Sequence, residues 1–327
     1  MRFLSMKKLF TYILLTFLAS PSAMGAETEK VIIWQGSSTP VLTMLADKLG
    51  FFAQEGLSVE FKRFPTGRQA FEGMLAGNCD FSISAEFPVV THAFRRKDFA
   101  VLASLKTSYD VSRLVVRKDM GIAAVSDLKG KKIATPRGTA PHYFLELLLE
   151  KNGINLSDAT VIHLEPDEIE KGFANGDFHA VAITTPRATL LANKMGDKAS
   201  VISEMGLCLN YTPLTVMRDT LATKKGLAEK LLKALVKAEN WLRGNPAGAK
   251  EIIQAEFGFT DAAYERERKN NINELALPRG LVLIMEDYAR WSMEKDLARG
   301  ERAPNFLEYI EPGPLRSVAS DAVTLSR

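Results

Sequence analysis

The chain has 327 residues, of which 46% are hydrophobic and 25% are charged. This length and balance are typical of about two folded domains with their own cores, and they exclude a disordered or multi-span membrane protein. The formal net charge of +3 is not concentrated in a basic cluster, so no nucleic-acid partner is expected.

The first 26 residues differ from the rest of the chain. Arg2, Lys7 and Lys8 precede an apolar run over residues 9–19, and small residues follow over residues 20–26. This pattern is typical of a secretory signal peptide and is too short for a spanning helix. We therefore expect residues 1–26 to be a signal peptide, cleaved after residue 25 or 26, which carries the excess positive charge. No cysteine stands at its exit, so an exported, soluble protein without a lipid anchor is expected.

The first strand–loop–helix junction begins the mature chain. Residues 31–34 are mostly β-branched and predict a strand, which leads into the polar loop at residues 35–38. Thr39 and Pro40 then predict the N-cap and first position of a helix. A helix N-terminus offers free N–H groups and partial positive charge, so this loop suits an anion or a polar ligand group. The alternative is an ordinary turn between a strand and a helix.

Three more proline-led junctions follow in chain order. The sequence predicts strands at residues 57–61, 80–84, 101–105, 113–117, 132–134, 161–164 and 177–183. Predicted helices start at Thr66, after Pro88, at Pro141, near Glu168 and after Pro186. Pro40 and Pro88 are 48 residues apart, and Pro141 and Pro186 are 45 apart. The same order of elements therefore occurs twice.

This duplication predicts the fold class. Strands that alternate with helices form parallel sheets with helices on both faces, and ligands bind beyond the carboxyl ends of such strands. We expect an α/β protein of two doubly wound α/β lobes with a ligand cleft between them. From about residue 214 the pattern is helical, and the apolar stripe from Leu227 to Leu242 predicts packing onto a lobe.

Catalytic and metal-binding patterns are absent from the sequence. The four histidines have no metal-ligand spacing, and no phosphate-binding GxxxxGK, dinucleotide-binding GxGxxG or nucleophile-elbow GxSxG motif occurs. No cofactor, metal or catalytic residue is therefore predicted, and a binding protein is favoured over an enzyme. Cys79 and Cys208 could pair after export, but their contexts favour buried, unpaired thiols.

Several stretches resemble the nitrate/sulfonate/taurine-type periplasmic substrate-binding proteins of ABC importers. Trp34–Gln35 followed by the proline-led helix and by residues 49–57 (LGFFAQEGL) is similar to the N-terminal signature of that family. Residues 76–81, 136–143, 238–246 and 306–310 resemble its later segments. The resemblance covers nearly all of the mature chain.

The resemblance implies a type II periplasmic binding protein that closes on a small molecule. Lobe I would comprise residues 27–113 and 214–327, and lobe II residues 114–213, joined by strands at residues 113–117 and 209–217. The implied partners are a small-molecule ligand and the permease and ATPase of an inner-membrane ABC importer. A monomer in the periplasm is expected.

Two departures from the family pattern bear on the ligand. Glu86 precedes Pro88 where many relatives have Gly-Asp or Gly-Asn, and residues 183–186 lack the aromatic and acidic residues found before the fourth proline. Glu86 disfavours a bare anion unless Arg68, Arg113 or Arg187 pairs with it. The leading ligand class is a small organic anion such as a sulfonate, nitrate-like or carboxylate compound. The alternative is a nitrogen heterocycle such as a pyrimidine vitamin precursor.

Twelve residues at the four junctions are expected to contact the ligand: Trp34, Gln35, Ser37, Ser38, Glu86, Phe87, Gly138, Thr139, Ala140, His142, Thr184 and Thr185. Each has a local alternative: Trp34 as core, Thr139 as a helix cap, His142 bonded to its own loop, and Glu86 as a helix-terminal charge. A pyrimidine-precursor synthase and a receptor-linked sensor are the other functions that such a fold could serve.

Overall fold

Two large mixed β-sheets, each flanked by helices, make up most of the fold. The structure is a computed structural model, which describes residues 28–36 and 39–325. The predicted signal peptide, Ser37 and Ser38 lie outside the described residues. The strands are β1 (Glu29–Gln35), β2 (Leu57–Arg63), β3 (Phe81–Ile83), β4 (Phe99–Ser108), β5 (Ser112–Arg117), β6 (Lys132–Thr135), β7 (Thr160–His163), β8 (Ala180–Thr184), β9 (Ala199–Ile202), β10 (Asn210–Met217), β11 (Asn271–Ile272), β12 (Leu277–Pro278) and β13 (Val323–Thr324). The helices are α1 (Val41–Lys48), α2 (Phe51–Gln54), α3 (Gly67–Leu75), α4 (Glu86–Ala93), α5 (Ala140–Lys151), α6 (Pro166–Asn175), α7 (Thr185–Met195), α8 (Arg218–Thr223), α9 (Leu227–Gly244), α10 (Pro246–Phe257), α11 (Asp261–Asn270), α12 (Arg279–Glu294) and α13 (Gly313–Val318).

The first sheet has the strand order β11-β4-β10-β3-β1-β2, and the second has the order β7-β6-β8-β5-β9. The strands that lead into the proline-led junctions are parallel, as predicted: β1 with β2 and β3, and β6 with β7 and β8. The other pairs in these two sheets are antiparallel, with β10 between β3 and β4 and β5 between β8 and β9. Strands β12 and β13 form a separate two-stranded parallel sheet. The α/β class predicted from the sequence is confirmed, but the sheets are mixed.

The chain passes between the sheets twice, at residues 109–111 and at residues 203–209. The second sheet and its helices therefore come from one continuous segment, which we call the second-sheet unit. The rest of the described chain forms the first-sheet unit, to which both ends of the sequence contribute.

Each unit has its own apolar interior. In the second-sheet unit, Leu114 and Val116 pack toward α5, whereas Val115 packs toward α6 and α7. This alternation follows from the period of a β-strand and buries both faces of the sheet. In the first-sheet unit, Leu227 and Leu235 of α9 join the core with α1 and the sheet, so the apolar stripe of this helix packs onto the unit as predicted.

Several element boundaries differ from the sequence prediction. Helix α4 begins at Glu86, two residues before Pro88, because proline is tolerated anywhere in a first helical turn, where N–H groups have no helical partner. Thr39 is not the N-cap of α1; Pro40 is. Strand β9 and helix α11 were not predicted. Within the described part of the chain, every helix is too short or too polar to span a bilayer.

Trp34 is fixed by close packing against a glycine of α3. A Cβ atom placed on Gly73 would lie only 1.8 Å from the indole ring. The indole also contacts the Phe64 ring, with the two ring centroids 4.4 Å apart. Lys62 Nζ lies 4.9 Å from the centroid of the indole ring. The indole can therefore occupy this place only because residue 73 has no side chain.

We expect Gly73→Ala to lower the free energy of unfolding by about 1–3 kcal/mol, since overpacking outweighs the better helix propensity of alanine. Urea unfolding followed by circular dichroism measures the change. The matched control is Gly244→Ala in α9, where a Cβ meets nothing within 4 Å and stability should hold or rise slightly. Equal effects of the two substitutions would contradict this packing role.

Candidate functional site

At the first sheet, three backbone segments converge beyond the carboxyl ends of β1 and β3. A Cβ on Gly36 would lie 3.1 Å from Gly67 Cα, and a Cβ on Gly67 would lie 3.2 Å from Ser84 Cβ. The N–H of Gly36 also donates to the Ile83 carbonyl at 3.2 Å. A Cβ at position 36 or 67 would require its neighbours to shift by a few tenths of an ångström, so the loop after β1 is held tightly against its neighbours.

Gln35 is the predicted site residue at the end of β1. Its side chain is buried, its Nε2 donates to Thr39 Oγ1 at 3.2 Å, and its Oε1 has no partner among the described residues. Trp34, one residue earlier, points to the opposite face of the strand and packs on α3. The structure therefore brings Gln35, and not Trp34, to the same face as the loop that follows. Ser37 and Ser38 lie outside the described residues.

At the second sheet, the corresponding edge is formed by Thr135 and the loop before α5. Thr135 is fully buried, and its Oγ1 has no partner among the described residues. Thr139 is the N-cap of α5, but its hydroxyl donates to the Pro136 carbonyl at 2.7 Å rather than capping the helix. Helix α5 then starts at Ala140. Sequence reasoning did not select Thr135 as a contact residue, although its place at a strand end could have indicated it.

Gly138 and Phe87 join the two units. Gly138 has φ +63°, and a Cβ on it would lie 3.5 Å from the Phe87 ring and 3.4 Å from Leu297. The Phe87 ring also meets the rings of Tyr288 and Trp291 of α12, with centroids 5.7 Å apart in each case. The predicted residues Phe87 and Gly138 therefore lie together, against a part of α12 that the sequence indicated only as core.

His142 lies in the first turn of α5 and is buried. The N–H of Gly138 donates to its Nδ1 at 3.2 Å, so Nε2 carries the ring proton. This is the local loop bond left open as an alternative from the sequence. The ring also meets the rings of His163 at 4.5 Å and Trp291 at 4.9 Å. His142 thus connects the loop before α5 to α12.

Thr184 and Thr185 lie at the end of β8, beside the first passage between the sheets. Thr184 is exposed, whereas Thr185 Oγ1 donates to the Asp110 carbonyl at 2.6 Å and its N–H donates to Val111 at 2.9 Å. The hydroxyl of Thr185 is therefore engaged in holding the connection.

Glu86 is fully buried in the first turn of α4. Its Oε1 accepts the N–H of Tyr211 on β10, and its Oε2 has no partner among the described residues. Burial raises its pKa to about 7, against the lowering effects of the Tyr211 N–H, the Asn210 amide and Lys106. The carboxyl thus faces the strand that returns from the second sheet.

None of the three arginines expected as possible partners of Glu86 pairs with it. Arg113 binds Asp110, Arg187 binds Asp167 and Glu170, and Arg68 is exposed. Lys106 on β4 supplies the nearby positive charge instead, and burial lowers the pKa of this lysine against the raising effects of Glu267 and Glu86.

The helices at these strand ends share one feature. The N-caps of α1, α4, α5 and α7 make no side-chain hydrogen bond to their helices. Most other helices of the described chain also lack such a bond, whereas α3 is closed by a capping box between Thr66 and Gln69, so position at the strand ends is what sets the four helices apart. Because β1 and β3 are parallel neighbours, as are β6 and β8, the uncapped ends lie in pairs at one edge of each sheet. Their free N–H groups and partial positive charge suit an anionic or polar ligand group.

Metal-ligating side chains form no cluster in the described part of the chain, which contains both cysteines of the sequence. No group of three His, Cys, Asp or Glu residues is arranged to hold a metal ion within residues 28–36 and 39–325. Cys79 and Cys208 are buried and unpaired. Burial raises the pKa of each thiol to about 12, so neither is a thiolate near neutral pH.

Two α/β units that are connected twice and present polar loops at their strand ends are typical of periplasmic-binding-protein folds. The chain has this arrangement. The chain belongs to the family described as NMT1/THI5 like, whose model matches residues 38–249. The family resemblance seen in the sequence is thereby confirmed.

The relatives named as sulfonate and taurine binders match part of the chain. A putative aliphatic sulfonates-binding protein of Bacillus subtilis is 33% identical over 174 residues, which are 52% of this chain and 52% of that protein. The taurine-binding periplasmic protein of Escherichia coli is 24% identical over 54% of this chain and 55% of that protein. The chain thus matches about half the length of each.

Solved structures confirm the fold over more of the chain. The alkanesulfonate-binding protein SsuA of Xanthomonas axonopodis pv. citri, bound to MOPS, has a TM-score of 0.71 at 20% identity, covering 88% of this chain and all of that one. The desulfurization enzyme DSZB has a TM-score of 0.68 at 15% identity, covering 90% and 99%. The fold therefore serves both binding proteins and an enzyme.

The raised pKa of Glu86 predicts a pH-dependent stability. Below its ordinary value of 4.5, folded and unfolded chains both hold the proton, so burial of the neutral carboxyl carries no charge penalty. As pH rises from 4.5 to about 7, the unfolded state loses the proton first, and the free energy of unfolding falls by about 3 kcal/mol.

We expect Glu86→Gln to remove this fall. The free energy of unfolding of the variant should therefore rise relative to that of the unchanged protein between pH 4.5 and pH 8. Urea unfolding at several pH values measures the difference between the two curves. Glu60→Gln, at a largely exposed position paired with Lys30, is the control and should leave the slope unchanged. Parallel curves for Glu86→Gln and the unchanged protein would refute the raised pKa.

Proposed function

We propose that the protein is a periplasmic substrate-binding protein that closes on a small organic anion. The positions of the N-termini of α1, α4, α5 and α7 carry this proposal, because all four lie at the strand ends of the two sheets and none is closed by a side-chain cap. The partial positive charge of such helix ends favours an anion. Gln35 Oε1 and Thr135 Oγ1 add buried polar atoms at strand ends of both units that have no hydrogen-bond partner among residues 28–36 and 39–325, and a polar ligand would satisfy them. Relatives named as sulfonate and taurine binders support the anion class.

The two units would be the moving parts. In this proposal the first-sheet unit is lobe I and the second-sheet unit is lobe II. The lobe boundaries expected from the sequence, at residues 113 and 213, fall inside β5 and β10. Residues 109–111 and 203–209 connect the sheets, so rotation about these two connections would open and close the space between the strand ends. Ligand enclosed there would be delivered to the permease and ATPase of an ABC importer.

A nitrogen heterocycle is a second candidate ligand, favoured by Glu86. The carboxyl has a pKa of about 7, and its Oε2 has no partner within the part of the chain that the structure describes. It can donate a hydrogen bond when protonated and accept one when ionised. Such a group suits a neutral or cationic ring nitrogen better than a sulfonate.

Calorimetric titration distinguishes the ligand classes. The panel is taurine, ethanesulfonate, nitrate, succinate and an aminopyrimidine, each tested first by its effect on thermal stability. A ligand at 100 times its Kd should stabilise the folded protein by about 2.7 kcal/mol. Binding of a sulfonate or carboxylate supports the anion proposal, binding of the aminopyrimidine alone supports the heterocycle, and a panel without any binder counts against both.

For whichever ligand binds, Thr135→Val should raise the Kd about tenfold, because a buried hydroxyl that serves the ligand contributes about 1–2 kcal/mol. Thr160→Val is the matched control, since Thr160 is an exposed threonine on the neighbouring strand β7. An unchanged Kd for Thr135→Val would show that the ligand does not reach the end of β6.

A further inference from the structure

The side chain of Glu146 makes polar contacts between the two units away from the strand connections. It lies on α5 of the second-sheet unit with 14% of its side chain exposed. Its Oε2 accepts a hydrogen bond from Trp291 Nε1 at 3.0 Å and an ion-pair contact from Lys295 Nζ at 2.8 Å. Both partners belong to the first-sheet unit, in α12 and immediately after it.

The same carboxylate also faces the loop before α5 through His142. The Nε2 atom of His142 lies 3.2 Å from Glu146 Oε1, an ion-pair distance although not well aligned for a hydrogen bond. Because Nδ1 accepts from the Gly138 N–H, the ring proton is on Nε2, the ring atom near the carboxylate, and the contact is electrostatic rather than a hydrogen bond. A carboxylate in this position fixes the orientation of an imidazole.

The loop itself touches the same segment of the first-sheet unit. Arg137 Nη2 donates to the Lys295 carbonyl at 3.2 Å, and Gly138 lies against Leu297 and Phe87. The Trp291 ring is largely buried between Phe87, His142 and Tyr143. Rotation of one unit away from the other would expose these groups and break the contacts of Glu146.

The balance of effects on Glu146 favours its ionised form. Burial opposes ionisation, but the contacts from His142, Lys295 and Trp291 outweigh it and lower the pKa of this carboxyl. Hydrogen bonds to a charged, largely buried group are stronger than neutral ones. Their loss would change the ratio of closed to open protein by about tenfold to a hundredfold.

We propose that Glu146 is a positioning residue that latches the closed arrangement and, through His142, holds the loop at residues 136–139 in its ligand-ready shape. The proposal deepens the proposed function and rests on it. Glu146 would raise ligand affinity without touching the ligand. Apparent affinity is proportional to the fraction of protein in the binding-competent arrangement, which the latch increases.

Small-angle X-ray scattering of the ligand-free protein tests the latch without any ligand. Glu146→Ala should raise the radius of gyration as the open arrangement gains population. Glu150→Ala, at an exposed position one turn later on α5, is the control and should scatter like the unchanged protein. Identical scattering of all three would overturn the proposal. Retained circular dichroism and a cooperative thermal transition show that Glu146→Ala is folded.

Binding kinetics supply the second test. With a ligand from the calorimetric panel, Glu146→Ala should raise Kd about tenfold or more through a faster dissociation rate, with the association rate little changed. Glu146→Gln keeps one acceptor oxygen, so its Kd and dissociation rate should lie between those of the unchanged protein and those of Glu146→Ala. An unchanged dissociation rate would overturn the latch even if binding itself is confirmed. If no panel compound binds the unchanged protein, the proposed function fails, while scattering still decides whether Glu146 holds the units together.

Discussion

The carboxylate of Asp110 is the constraint on which the arrangement of the two units depends. It stands in the first connection between the sheets, where Arg113 binds it through Nε and Nη2. Ser203, in the second connection, donates to it at 3.1 Å, and Asn270 at the end of α11 donates at 2.9 Å. One buried charge thus ties together both connections and the helical part of the first-sheet unit, and a charge in this place is tolerable only because it is paired and hydrogen-bonded.

Local chemistry explains what was predictable from the sequence. The strand–loop–helix units are each specified within about 20 residues by apolar spacing, proline and glycine, and the structure contains all four of the predicted junctions. Strand β9 is short and only partly apolar, and α11 is highly charged with only Tyr264 buried, so neither carries a strong periodic signal. The insertion of β10 between β3 and β4 depends on contacts across more than 100 residues, which no local pattern encodes.

The candidate site shows the same division. Gln35, Gly138 and His142 follow directly from the junctions: Gln35 ends a strand, Gly138 lies in the loop after one, and His142 lies in the first turn of the next helix. Glu86 was expected in a polar loop, but α4 starts before Pro88 and turns its carboxyl toward Tyr211 on β10. Trp291 and Glu146 were missed as functional candidates because, in sequence, a tryptophan in an apolar stripe and a glutamate on a helix are indistinguishable from core and surface residues. Their significance comes from meeting across the two units.

The order of strands in the first sheet also has a consequence for synthesis. The second sheet is complete once residue 202 is available, because its five strands lie in one continuous segment. The first sheet lacks its connecting strand β10 until residue 217 has emerged, and β11 comes later still. A chain that grows or is exported from its N-terminus therefore carries β1 to β4 as two separate groups of strands, with β3 and β4 each lacking the partner that joins them. Early strands that must wait for a late central partner extend the time during which the chain stays loosely folded.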